Sequence, residues 1–179
     1  RKQYYTYLLE QYDEVCAVDE MSLKSLFTDM AFDGQWEPAL EFMAQAYAKV
    51  SSIRDSIEGE RNLQGFFMAY LNLNSYYYTM PELELNHGYC DFFLLPDLTH
   101  YDTKHSYIIE LKMLSKKDFG AMADNGKQTK AEEQWEQAVE QINRYADAPR
   151  VEALRQGTQL HKIIMQFEGY QLKRIGEID

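Results

Sequence analysis

Positive charge is scarce in this chain: 18 Lys and Arg stand against 29 Asp and Glu among 179 residues, a formal net charge of −11 at pH 7. A protein that holds nucleic acid by overall electrostatic attraction is excluded, so any contact with phosphates must come from a local positive patch or from metal ions. Cysteine is scarcer still. Cys16 and Cys90 are far apart and form no C-x-x-C pattern, which leaves no basis for a disulfide framework or a zinc ribbon and makes a reducing cytoplasm the simplest location. The four histidines, His87, His100, His105 and His161, show no H-E-x-x-H or comparable ligand spacing, which argues against a zinc hydrolase. No stretch approaches the roughly 18 to 20 consecutive apolar residues that cross a bilayer. The opening RKQYYTYLLEQYDEV soon meets acidic residues where a signal peptide would be apolar, so neither a membrane protein nor an exported one is expected. The first residue is Arg1, which reads as the start of a piece of a longer polypeptide.

What is present suits a folded domain. The chain is 45% hydrophobic and 14% aromatic, enough to bury a core, and its length fits one domain, or one domain with an appendage. Before residue 75 the pattern is helical: Tyr4, Leu8 and Val15, then Leu23, Leu26, Phe27 and Met30, recur at three- and four-residue intervals. A turn is expected at Asp33-Gly34, and a further stripe runs through Trp36, Leu40, Phe42, Met43 and Tyr47. Residues 1–58 thus form a helical appendage, and Glu60 opens the next unit, residues 59–179, with a helix carrying Leu63, Phe66, Phe67, Tyr70 and Leu71. From Tyr76 the texture is strand-like. YYYTMPELEL is one strand, demoted by Pro81 to an edge or bulge. YCDFFLLP follows the turn Asn86-His87-Gly88, SYIIELKML is a third strand, and HKIIMQFEGYQLKRIGEI supplies one or two more. Between them Trp135, Val139, Ile142 and Tyr145 mark a helix, and the polar KKDFGAMADNGKQTK reads as a loop. The order predicts an α/β fold with a mixed sheet flanked by helices.

Against that frame three charges are out of place. Glu110 and Lys112 share one face of a strand that is otherwise apolar on both sides, and Asp91 lies within another such strand. Unpaired, each costs several kcal/mol inside a sheet. If the two strands are neighbours, Asp91 and Glu110 converge, with the Leu111 carbonyl between them and Lys112 one step along. Two carboxylates and a carbonyl are the hard oxygen donors that Mg²⁺ or Mn²⁺ takes, and a lysine beside metal-bound water can orient it or neutralise charge on a phosphate. The chemistry implied is metal-assisted hydrolysis of a phosphodiester. The same spacing also suits a buried Glu110–Lys112 ion pair with Asp91 at a strand end, and E-x-K alone does not choose between them.

An acidic residue on a first helix, Asp in one strand, E-x-K in the next, then a helix with Q-x-x-x-Y resembles the PD-(D/E)XK nuclease superfamily. More narrowly, SIRDSIEGERNLQGFFMAYL, ELELNHGYCDFFLLPD, SYIIELKML and QINRYAD resemble the nuclease-like domain at the C-terminus of bacterial AAA-ATPase-like proteins common in Bacteroidetes. The resemblance covers about residues 52–179 and implies a restriction-endonuclease-like sheet. It makes Asp91, Glu110, Lys112 and Glu60 active-site residues, and Gln141 and Tyr145 substrate-binding ones. One position departs: Cys90 stands where the pattern has proline. The implied protein is a Mg²⁺- or Mn²⁺-dependent nuclease acting on DNA, joined to an upstream ATPase domain. The net charge favours another class, a catalytically silent nuclease-fold module that binds a partner or regulates that ATPase. Lys116, Lys117, Lys127 and Lys130 are the one local concentration of positive charge, and the Tyr-rich residues 1–58 are a candidate protein interface.

Overall fold

The computed structural model describes residues 20–53, 59–115 and 122–179. The helical pattern at Tyr4, Leu8 and Val15, residues 54–58 within SIRDSIEGER, and Lys116 and Lys117 lie outside the described residues. Helices α1 (Glu20–Phe32) and α2 (Glu37–Ile53) come first, followed by α3 (Glu60–Leu71). A hairpin of β1 (Tyr77–Leu85) and β2 (Gly88–Pro96) leads to β3 (His105–Leu114). Helices α4 (Asp124–Ala146) and α5 (Pro149–Arg155) then cross to β4 (Gln159–Glu168), which turns back into β5 (Gln171–Glu177). The fold is therefore α/β, as the order of patterns predicts.

The five strands form one sheet in the order β1-β2-β3-β4-β5. Only β3 and β4 run parallel, their long crossover being the α4–α5 segment, and the other neighbours are antiparallel. The hairpin turn is two residues, with Gly88 opposite Leu85 and positive φ at Asn86 (44°) and His87 (65°). That is the backbone of a type I′ turn, whose twist matches the flanking strands. Pro81 sits on β1, an edge strand, where its missing N–H breaks no central ladder.

Two apolar layers cover the sheet. On one side Leu23, Phe27 and Met30 of α1, Leu40, Met43 and Tyr47 of α2, and Leu63, Phe66 and Phe67 of α3 pack against Phe92, Tyr107, Ile109 and Met165. On the other, Trp135, Ala138, Ile142 and Tyr145 of α4 pack against Phe93, Ile108 and Ile164. Buried on both faces, β3 has few polar side chains to spare, so Glu110 within it needs a reason. The corner between α1 and α2 is tied to the sheet by polar groups. Trp36 Nε1 donates to Glu177 at 2.9 Å, Glu177 faces His161 Nδ1 at 2.5 Å, and His161 Nε2 meets His105 Nδ1 at 2.8 Å. Gly34 (φ 70°) makes that corner possible, since a Cβ there would lie 2.8 Å from the His105 ring.

One expectation needs correcting. The polar segment after the third strand is not a loop throughout, because α4 begins at Asp124 and takes in its second half. Those first turns are mostly exposed, so no apolar stripe marks them until Trp135, and composition alone reads as loop.

Candidate active site

Strands β2 and β3 pair only through Phe92–Ile109, Phe93–Ile108 and Leu94–Tyr107. One residue further along, the ladder stops and side chains take over its donors. Asp91 Oδ2 accepts the Leu111 backbone N–H at 2.7 Å, and Glu110 Oε2 accepts that of Asp91 at 3.4 Å. The opening between the two strands therefore has both carboxylates turned into it. Glu110 is only 2% exposed. Lys112, two residues on along the same face, donates from Nζ to Glu110 Oε1 at 2.7 Å.

Because the sheet opens there, helices of both layers reach the same point. From α4, Gln141 Oε1 accepts from Lys112 Nζ at 3.0 Å, while its Nε2 donates to the Tyr145 hydroxyl at 2.5 Å. The lysine ammonium, which can only donate, fixes which end of the amide faces it, and the tyrosine hydroxyl takes the other end. From α3, Gln64 Nε2 donates to Asp91 Oδ1 at 2.5 Å. Glu60, one helical turn before Gln64, is exposed at the start of α3. It stands near enough for its charge to act on Glu110 and Lys112.

The electrostatics follow from burial. Desolvation, and then the negative charge of Glu110, push the Asp91 carboxyl from its ordinary value near 3.8 up to about 7. Burial likewise raises Glu110, with Lys112 opposing it. Lys112 is raised, its carboxylate neighbours outweighing desolvation, so it carries its proton at neutral pH. Cys90, buried between the acids and Leu83, has its thiol pushed up to about 12 by burial and by both carboxylates, and is inert as a nucleophile.

Two ionised carboxylates and one ammonium leave one negative charge uncompensated in a half-dry cleft, where a proton or a cation must answer it. The donors are hard oxygens, so a Mg²⁺- or Mn²⁺-class ion fits this set and a thiolate-seeking metal does not. Among the described residues no group of three or more His, Cys, Asp and Glu side chains is gathered into a metal cage.

Asp91, Glu110, Lys112, Gln141 and Tyr145, all named from the sequence, thus meet in one hydrogen-bonded cluster, with Glu60 beside it. Of the lysines beyond E-x-K, Lys127 is engaged with Asp124 at 3.8 Å. Sequence reasoning missed Gln64, for which the one available signal was its four-residue spacing from Glu60. It also missed Gly88. A Cβ on Gly88 would lie 2.6 Å from the Tyr145 hydroxyl oxygen, so the glycine keeps open the space from which Tyr145 reaches Gln141. Gly88→Ala should cost about 1–3 kcal/mol in a urea melt, as overpacking does, and should displace the Tyr145 ring in a crystal structure.

A family model described as the PD-(D/E)XK nuclease superfamily matches residues 58–177. No curated protein and no solved structure matches the chain. The match takes in every element from α3 to β5, including the strand opening with its two acids and lysine, and the chain belongs to the PD-(D/E)XK nuclease superfamily.

Proposed function

We propose that the protein is a metal-dependent nuclease that hydrolyses DNA phosphodiester bonds. The observation that supports this most directly is the convergence of Asp91, Glu110 and Lys112 where β2 and β3 part. A structural ion pair needs one acid for one lysine, whereas here a second, half-buried acid is held beside the first at an electrostatic cost. Asp91, Glu110 and the Leu111 carbonyl are the residues that would hold a Mg²⁺ or Mn²⁺ ion. In an extended strand the N–H and C=O of one residue point to the same side, and the Leu111 N–H points to Asp91. When bound, the ion supplies Lewis-acid stabilisation of charge developing on the phosphate.

The chain's own residues do the rest. Lys112, protonated and tethered by Glu110 and Gln141, has a third N–H direction to offer the attacking water or a phosphate oxygen. Being charged, it orients the water and does not deprotonate it. The water oxygen bonds to phosphorus as the bond from phosphorus to the leaving sugar oxygen breaks. The water's proton passes to solvent, and the leaving oxygen takes one up. Gln141 and Tyr145 act through Lys112, in addition to any contact with the substrate backbone, and Glu60 serves as an accessory carboxylate.

The wider assignment is that this is the C-terminal part of an ATPase-nuclease protein of the Bacteroidetes type, cytoplasmic, with residues 1–58 an appendage leading from the ATPase. The family match beginning at residue 58 supports the boundary alone, and the resemblance of the quoted sequence segments supports the ATPase link. The net charge of −11 favours the second reading, a silent nuclease-fold module. Cleavage of single- and double-stranded DNA, and of RNA as a comparison, by the full-length protein with ATP and Mg²⁺ separates the two. Absence of all cutting in that assay makes the silent module the better account.

A further inference from the structure

We infer that Gln64 is a positioning residue that holds Asp91 in the orientation a divalent cation requires. The inference deepens the metal-nuclease reading and rests on it for its functional consequence, although its structural part is measurable without metal. Asp91 is held at both oxygens. The Leu111 N–H takes Oδ2 at 2.7 Å, and the Gln64 amide takes Oδ1 at 2.5 Å. The first donor belongs to the same sheet as Asp91, but the second comes from α3, across the opening. Glu110 pushes in the opposite sense, because its carboxylate repels that of Asp91 at close range.

With Gln64 in place, the outer oxygen is tied to the helix and the carboxylate plane is fixed. A carboxylate has about four lone-pair directions, so two donors still leave room for a cation. Without Gln64 no other donor to Oδ1 is found among the described residues, and Asp91, half-buried and then held at Oδ2 alone, can swing toward solvent and away from Glu110. The consequence would be a site with its ligands present and their convergence lost. The placement also explains why α3 matters to the site through more than Glu60: Gln64 lies one turn further along the same helix face.

The test uses Gln64→Met, which keeps length and helix propensity and removes the donor. Two readouts are taken, with thermal melts showing that the variant folds. The first is hydrogen exchange of the Leu111 amide in metal-free protein. Once Asp91 is unclamped its bond to that amide weakens, and exchange should accelerate about tenfold. The second is Mn²⁺ affinity by titration calorimetry, which should fall about 10- to 100-fold, as loss of a partner behind a metal ligand does. Both shifts together support the inference. An unchanged Leu111 amide overturns it, even if Mn²⁺ affinity falls, since Gln64 would then act on the ion and not through Asp91. Accelerated exchange with unaltered Mn²⁺ affinity also overturns it. If the wild type binds no Mn²⁺ while Leu111 exchange accelerates, the positioning of Asp91 stands and the metal-nuclease reading is what fails.

Discussion

Lys112→Ala is expected to lower Mg²⁺-dependent DNA cleavage by about two to four orders of magnitude, the usual cost of removing a positioned charge from a hydrolytic centre. The size follows from how Lys112 is held. Its Nζ is fixed by Glu110 at 2.7 Å and Gln141 at 3.0 Å, so little reorganisation is needed when charge develops on the phosphate. Lys112→Arg should not rescue, since a planar guanidinium cannot reproduce the reach of an ammonium tethered by two acceptors. Removing the cation also leaves Glu110 buried without its partner. That carboxyl should then take up a proton more readily, and the residual activity of Lys112→Ala should shift to higher pH than that of the wild type. Single-turnover cleavage across pH 6–9, with circular dichroism to show that the fold survives, checks both points. Residual activity within tenfold of the wild type would remove Lys112 from the mechanism.

Metal and pH act on the two acids together, and this gives the second large effect. Asp91 is held at about 7 in the folded protein against an ordinary value near 3.8. The folded state therefore binds a proton that the unfolded chain has released over that interval, and folding is favoured by low pH. Stability contributed by this proton is fully present below about 4 and is lost as pH rises through about 7. A divalent cation answers the same charge, so it should stabilise most where Asp91 is ionised. At pH 8 and a cation concentration a hundredfold above Kd, linkage gives about 2.7 kcal/mol, or about 5–10 °C in Tm for a chain of this length. At pH 5 the shift should nearly vanish, because protons hold the site. Asp91→Asn keeps an acceptor for the Leu111 N–H and removes the repulsion. It should melt higher than the metal-free wild type at pH 8 and show no response to Mg²⁺ or Mn²⁺. A variant that responds as the wild type does would place the ion elsewhere.

Much of this arrangement was legible before any coordinates. The helix stripe Leu63, Phe66, Phe67, Tyr70 and Leu71 is buried as its spacing predicts. Asn86-His87-Gly88 does close a hairpin, because few residues accept the positive φ of that turn and Asn is among the readiest. The two acids and the lysine stood out because β2 and β3 are otherwise apolar, and an ionised side chain in such a strand must find a partner. The first turns of α4 were not legible. A helix whose early residues face solvent has no apolar period to betray it, and Gly126 and Asn125 weigh toward a loop.

The sequence by itself determined the order of elements, the hairpin, the α/β class and which side chains had to be answered by opposite charge or metal. All of these depend on contacts within an element or across one tight turn, where the alternation of strands and the 3.6-residue turn of helices fix the geometry. Only the tertiary structure decided that β2 and β3 stop pairing after three residue pairs and that Asp91 takes over the Leu111 N–H. It also decided that helices from opposite layers send Gln64 and Gln141 into the same opening. A period tells which face a residue occupies but not which distant residue it will meet there. That choice is made by how two layers pack on one sheet, and for Gln64 and Asp91 it joins positions 27 residues apart.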